Sequence, residues 1–239
     1  MFLRRILTLA ILTLLCTSSL CARRPFESKV MYLTENIGSG MAFGDDSYNV
    51  FSEFYEASGL DISICLGTNF NLLWGARARF QWMKMYNRQN IEAYEENYSR
   101  FSELVPNKGF YGYNICQLSV EGTFNVSNFL MRHRPTHNWN WYIYAGPGAT
   151  VTYNYEKTVK LWWGENAEKY DLIPYRIDDR SHLLWNFNIG HIINYRLADN
   201  LDLSADIGCS FTGDNLEGVV YEEFYDAIIT YSLGLKYYF

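Results

Sequence analysis

The stretch Leu201–Thr212, LDLSADIGCSFT, decides the architecture. Leu201, Leu203, Ala205, Ile207, Cys209 and Phe211 fall on one face of an extended chain. Asp202, Ser204, Asp206, Gly208, Ser210 and Thr212 fall on the other, because successive strand side chains point to opposite sides. One face is wholly apolar and the other holds two carboxylates. The segment before the C-terminus repeats the pattern. Ala227, Ile229, Tyr231, Leu233, Leu235, Tyr237 and Phe239 alternate with Asp226, Ile228, Thr230, Ser232, Gly234, Lys236 and Tyr238.

Towards the N-terminus the same period recurs. Trp185, Phe187, Ile189 and Ile193 oppose Asn186, Asn188, Gly190 and Asn194; Trp139, Trp141, Ile143, Ala145, Ala149, Val151 and Tyr153 oppose Asn140, Gly146, Gly148, Thr150 and Thr152. Cys116, Leu118, Val120 and Phe124 oppose Gln117, Ser119, Glu121 and Thr123, and Trp74, Ala76, Ala78, Phe80 and Trp82 oppose Gly75, Arg77, Arg79 and Gln81. Leu60, Ile62, Ile64 and Leu66 mark a shorter strand. A first strand is expected around Val30 to Phe43, with its facing left open by Glu35, Gly38 and Gly40. That makes eight strands. Residues 44–57, 88–108, 156–181 and 213–223 are long polar connections, whereas 69–72 and 196–200 are short, so long and short loops fall on opposite ends of an up-and-down sheet. Residues 125–138, NVSNFLMRHRPTHN, are long for the short side. Pro147 lacks an N–H and a closed barrel has no free edge, so a bulge or kink is expected there.

Face polarity chooses between two eight-stranded architectures. A soluble ligand-binding barrel points its apolar face inward; a membrane barrel reverses this, with aromatic girdles outside and a polar interior. Here one face is almost unbroken aliphatic and aromatic, with Trp74, Trp82, Trp139, Trp141, Trp185, Tyr195 and Tyr237 towards strand ends. The other carries Arg77, Arg79, Glu121, Asp206 and Lys236, too charged for a lipid pocket. The expected fold is all-β: an eight-stranded antiparallel up-and-down transmembrane β-barrel. An aromatic content of 18% suits strands, and past the N-terminus no run approaches the ~20 apolar residues of a membrane helix.

Residues 1–22, MFLRRILTLAILTLLCTSSLCA, place Arg4 and Arg5 before an apolar stretch from Ile6 to Leu15 and then small residues, the order of a secretory signal peptide. Cleavage is expected after Cys21 or Ala22, the latter leaving residues 23–239 as the barrel. It would also leave Cys65, Cys116 and Cys209, an odd set read as small hydrophobes and not as a disulfide framework. A formal net charge of -6 without basic blocks argues against a nucleic-acid partner.

The signal peptide, the eight strands and the terminal Phe239 resemble the OmpA-type and porin-like outer-membrane β-barrel domain family of Gram-negative bacteria. MAFGDDS (41–47), GARARF (75–80), FNVSNFL (124–130) and YRLADNLDLSAD (195–206) carry the resemblance across nearly the whole mature chain. It implies insertion by the outer-membrane assembly machinery, with the aromatic last strand, Tyr237 and Phe239, as the recognition signal. The resemblance is to the barrel alone. Many relatives carry a peptidoglycan-binding domain after it; the sequence stops at Phe239, so wall tethering is not expected.

An eight-stranded barrel is only just wide enough for side chains to fill. Asp61, Arg77, Arg79, Glu121, Asp206 and Lys236 are therefore expected to cross-pair inside it, as a structural core or as a charged gate. Catalysis has little support. Ser181 and His182, beside Asp178 and Asp179, are adjacent and would point to opposite strand faces. His133 and His137 have a helical metal-binding spacing, but Pro135 lies between them. The acidic pairs Asp45–Asp46, Glu95–Glu96, Asp178–Asp179 and Glu222–Glu223 read as solvated loop charge. Ile91, Tyr94, Tyr98, Phe101 and Leu104 recur at helical steps in the second long loop; with Trp162 and Trp163 they could pack on the rim or form a patch for a partner. No catalytic, cofactor or metal site is expected. The expected role is a non-enzymatic envelope protein whose partners are outer-membrane lipids, the assembly machinery and a surface ligand held by the long loops. A narrow or gated channel, a lipid-modifying barrel enzyme and a periplasmic ligand-binding barrel are the alternatives.

Overall fold

The computed structural model describes residues 30–43, 58–90, 108–131, 138–155, 160–161, 181–213, 216 and 226–239. The expectations for the signal segment, the acidic pairs, His133, His137 and the aromatic residues of the second and third long loops lie outside these. Among the described residues no helix is long and apolar enough to cross a membrane.

Among the described residues nine strands occur: β1 (Val30–Phe43), β2 (Gly59–Asn69), β3 (Trp74–Asn90), β4 (Lys108–Asn125), β5 (Trp139–Tyr153), β6 (Lys160–Leu161), β7 (His182–Ala198), β8 (Leu201–Thr212) and β9 (Asp226–Tyr238). Eight long strands pair antiparallel in the cyclic order β1-β2-β3-β4-β5-β7-β8-β9, and β9 returns to β1. The barrel is closed, so each wall strand has a neighbour on both sides and no edge. The ninth strand is an addition to the expected eight. It is a two-residue piece of the third long loop that pairs with Gly109 and Phe110 of β4, beyond the reach of β5.

The register fixes what the first strand's pattern left open. Val30, Tyr32, Thr34 and Asn36 point inward and are buried, whereas Met31 and Ile37 point outward. Glu35 shares that outer face, level with Ile64 of β2 and Leu235 of β9. His191 also interrupts the outer face; its ring lies 5.9 Å from that of Trp141. Of the bulge or kink expected at Pro147, the bulge does not form. Pairing of β4 with β5 lapses between Ser119↔Gly148 and Gly122↔Ala145 and resumes in the same register, while Pro147 stays opposite Phe187 of β7. The lapse is also where a Cβ on Gly146 would lie 2.0 Å from the Val120 carbonyl oxygen, so the backbones approach closely at a glycine. A register shift does occur between Arg196 and Ala198, ahead of the β7–β8 turn.

The long connection after β4 contains a short helix, α1 (Val126–Leu130). Asn125 caps it, its side-chain oxygen accepting from the Asn128 amide at 2.9 Å. With that turn folded, the barrel has one end of tight connections and one of long loops. The longest pair, β3 with β4, runs in register from Trp74↔Phe124 to Asn90↔Lys108. On β3 the outward apolar residues end at Trp82 and Lys84 follows, so the apolar band is about 20 Å tall for strands tilted by about 40°. The β3–β4 hairpin continues beyond that band.

Candidate functional site: a layered polar interior

Barrel polarity is inverted relative to a water-soluble protein. Trp185 and Leu183 on the outer face are 81% and 71% exposed, whereas Glu121 and Asn188 inside are 0% exposed. Such an outer face is stable only against hydrocarbon, and a closed wall is what lets a sheet cross it without unsatisfied backbone groups. Aromatic side chains gather at both ends of the band. The Trp139 and Tyr195 rings meet at 4.5 Å, tilted by 49°, on the turn side, and the Trp82 indole N–H donates to the Tyr153 hydroxyl at 3.1 Å on the loop side. The chain is an eight-stranded transmembrane β-barrel.

Inside, the middle layer is ionic. Alternate residues of β3 place Arg77 and Arg79 inward, and register sets Arg77 opposite Glu121 and Arg79 opposite Ser119. Glu121 accepts from the Arg77 Nε and from the Ser119 hydroxyl at 2.8 Å, and its Oε1 forms an ion pair with the Arg79 Nη2 at 2.9 Å. Asp206 of β8 reaches across to the Arg77 Nη1 at 2.9 Å. Two guanidinium groups thus meet two carboxylates, so the layer is formally neutral, as burial demands. Tyr144 of β5 ties it together. Its hydroxyl donates to the Asp206 Oδ1 at 2.9 Å and accepts from the Arg79 Nη1 at 3.3 Å, and the Arg77 guanidinium lies 4.1 Å over its ring. The ring has room because β7 and β8 carry Gly190 and Gly208 beneath it, where a Cβ would lie 2.4 Å from the Tyr144 hydroxyl.

The six charged residues grouped from the sequence therefore divide. Arg77, Arg79, Glu121 and Asp206 form one cluster. Asp61 belongs to the next layer towards the loops, where the Gln81 amide donates to its Oδ1 at 2.8 Å. That layer is otherwise amide and hydroxyl: the Gln117 Nε2 donates to the Asn188 Oδ1 and Ser210 Oγ, and the Asn186 Nδ2 donates to the same pair. Lys236 lies on the turn side, apart from the arginines, with its ammonium 3.7 Å from the ring centre of Tyr32, 5.0 Å from Tyr142 and 5.1 Å from Tyr238. The Tyr238 hydroxyl donates to Asp202 at 2.8 Å. Below this cage a small polar pocket among Asn69, Asn71, Asn125, Asn128, Arg196 and Asp202 has about 20 Å³ of water-sized space, enough for about one molecule.

Towards the loops the interior turns apolar. Ala42, Met83, Met85, Tyr113, Ile115, Tyr155, Leu216 and Ile228 form one buried cluster with Leu184 packed against it. Leu216 belongs to the β8–β9 connection and is 0% exposed. Its backbone is held at both ends, the carbonyl accepting from the Tyr155 hydroxyl and the amide donating to Asp226, each at 2.8 Å. Tyr113 and Tyr155 stack at 5.3 Å. This lid had no counterpart in the sequence reading. Met83 and Met85 share the inward parity of Gln81 on β3, which is the signal that would have found it.

The remaining sequence candidates are dispersed. Ser181 is exposed and His182 is half-buried at the start of β7, its ring edge-on to Tyr155 at 6.3 Å. Cys65 is buried inside, Cys116 and Cys209 lie half-buried on the outer face, and all three are free thiols. Tyr237 pairs with Leu33 and Leu201, and the Phe239 amide donates to the Met31 carbonyl at 3.1 Å. Among the described residues no group of three or more His, Cys, Asp or Glu side chains is placed to hold a metal ion.

No protein-family model and no curated protein matches the sequence. Solved structures do. The Neisserial surface protein A is similar at 12% identity and TM-score 0.47, over 87% of this chain and 97% of that one. The outer membrane protein OprG of Pseudomonas aeruginosa is similar at 8% identity and TM-score 0.47, over 89% and 97%. The attachment invasion locus protein Ail of Yersinia pestis, crystallised with the heparin analogue sucrose octasulfate, is similar at 10% identity and TM-score 0.46, over 89% and 100%.

Proposed function

We propose that the protein is an integral outer-membrane β-barrel without enzymatic activity, which supports the envelope as a lipid-anchored wall element and carries long surface loops for adhesion or recognition. The observation that supports this most is the inverted barrel with a filled interior: an apolar lid, an amide layer, a neutral ionic layer and an aromatic cage around Lys236 occupy successive levels. Such a lumen favours anchoring over conduction. The assembly machinery is the expected partner for insertion, reading the aromatic last strand with Tyr237 and Phe239, and a surface ligand is the expected partner of the loops.

Two measurements test the reading together. Fractionation is expected to place the protein in the outer membrane with heat-modifiable migration on gels; recovery as a soluble periplasmic protein would sink it. In planar bilayers the purified barrel is expected to show no steady conductance. Discrete open events that grow when Arg77 or Arg79 becomes Ala would move the assignment to a gated channel.

A further inference from the structure

We infer that the turn between β4 and β5 is a membrane-inserted wedge: α1 and Met131 lie in the phospholipid leaflet on the tight-turn side of the barrel, with their apolar side chains among acyl chains. The inference rests on the membrane reading above and extends it to a segment that is not part of the wall. A surface helix in water buries its apolar side chains and exposes its polar ones. Here the order is reversed. Ser127 and Asn128 are 9% and 5% exposed, whereas Phe129, Leu130 and Met131 are 58%, 66% and 46% exposed.

The buried polar side chains are committed to holding the turn. The Ser127 hydroxyl accepts from the Trp141 amide at 2.8 Å, and the Asn128 side-chain amide donates to the Leu72 carbonyl at 2.8 Å, so the turn is fastened to β5 and to the β2–β3 turn. The Met131 amide donates to the Ser127 carbonyl at 2.9 Å and closes the helix. With these bonds in place the apolar side chains cannot turn inward. They also continue the lipid-facing surface: Phe129 lies 5.6 Å from Phe124, and Phe124 lies 4.7 Å from Trp74 of the turn-side girdle. Three consecutive exposed apolar residues joined to a hydrocarbon-facing wall share its solvent.

The test uses the full barrel with Cys65, Cys116 and Cys209 each changed to Ala, refolded into vesicles of phosphatidylcholine and phosphatidylglycerol. One cysteine carries an environment-sensitive fluorophore, at Leu130→Cys, at Ile207→Cys in the mid-wall, or at Asp199→Cys in the exposed β7–β8 turn. The Leu130 probe is expected to match the Ile207 probe, quenched several-fold more by an acyl-chain spin label than by aqueous iodide. Iodide quenching like that at Asp199, with the Ile207 probe still lipid-quenched, overturns the wedge and leaves the membrane reading standing. Protection from both quenchers also overturns it and assigns the patch to a second copy or another protein. Lack of acyl-chain quenching at Ile207 refutes the membrane reading itself.

Discussion

At the scale of residues, the lumen is organised around a side chain that composition disguises. Tyr144 belongs to an aromatic-rich strand whose outer face is apolar, yet its parity with Asn140 and Gly146 puts it inside, where it bridges Arg79 and Asp206 over two glycines. The two glycines are not equivalent. A Cβ at Gly208 meets the Tyr144 hydroxyl at 2.4 Å but its Cζ at 3.6 Å, whereas at Gly190 the Cζ is also at 2.5 Å and a backbone oxygen at 2.4 Å. Gly208→Ala and Gly190→Ala are both expected to lower stability in urea titrations of the vesicle-folded barrel, and Tyr144→Phe is expected to recover part of the loss only for Gly208→Ala. Equal rescue at both sites would contradict the packing described. Glu121→Ala is expected to cost about 3–5 kcal/mol in the same titration, because it strands two buried guanidinium groups on one carboxylate. A loss below about 1 kcal/mol would mean that the ionic layer is well hydrated.

At the scale of elements, strand boundaries were the most legible part of the sequence, and the contents of the lumen the least. Period two located eight strands because one face of each is lipid-soluble and the other is not, so β8 and β9 could be read residue by residue. The same signal failed on β1, where Glu35 stands on the outer face and Gly38 and Gly40 carry no side chain to face either way. It was silent on pairing across the barrel. Lys236 and Asp206 look alike as inward charges, and only the positions of Tyr32, Tyr142 and Tyr238 separate the lysine from the arginines. The bulge or kink expected at Pro147 followed from its missing N–H; no extra residue is inserted, and two pairs are skipped beside Gly146 with the register kept. Most of the lid stands on strands, where the inward parity of Met83 and Met85 marks it, but Leu216 belongs to a connection with no period at all. Leu216→Ala is expected to cost about 2–5 kcal/mol by cavity formation, and loss of stability without any gain in ion flux across the vesicle wall is the outcome that keeps the lid structural.

At the scale of the molecule, the wall predicts how its thiols behave. Cys65 lies inside a filled lumen and Cys116 and Cys209 face outward among apolar residues. In vesicles none of the three is expected to react with a membrane-impermeant maleimide, and all three should react after denaturation. Modification of Cys116 or Cys209 in the folded state would show that the apolar face is not covered by lipid. The closing seam carries a kinetic consequence. It pairs Tyr32 with Tyr238, about 200 residues apart in sequence, so much of the chain must be gathered before those bonds form. Until then β1 and β9 each present a bare row of amides and carbonyls in a hydrocarbon setting, where they are sticky and costly to expose. A high-contact-order seam with two open edges makes unassisted insertion slow and prone to aggregation. Its rate is therefore expected to depend on how long those edges remain shielded, and much less on how stable the finished barrel is.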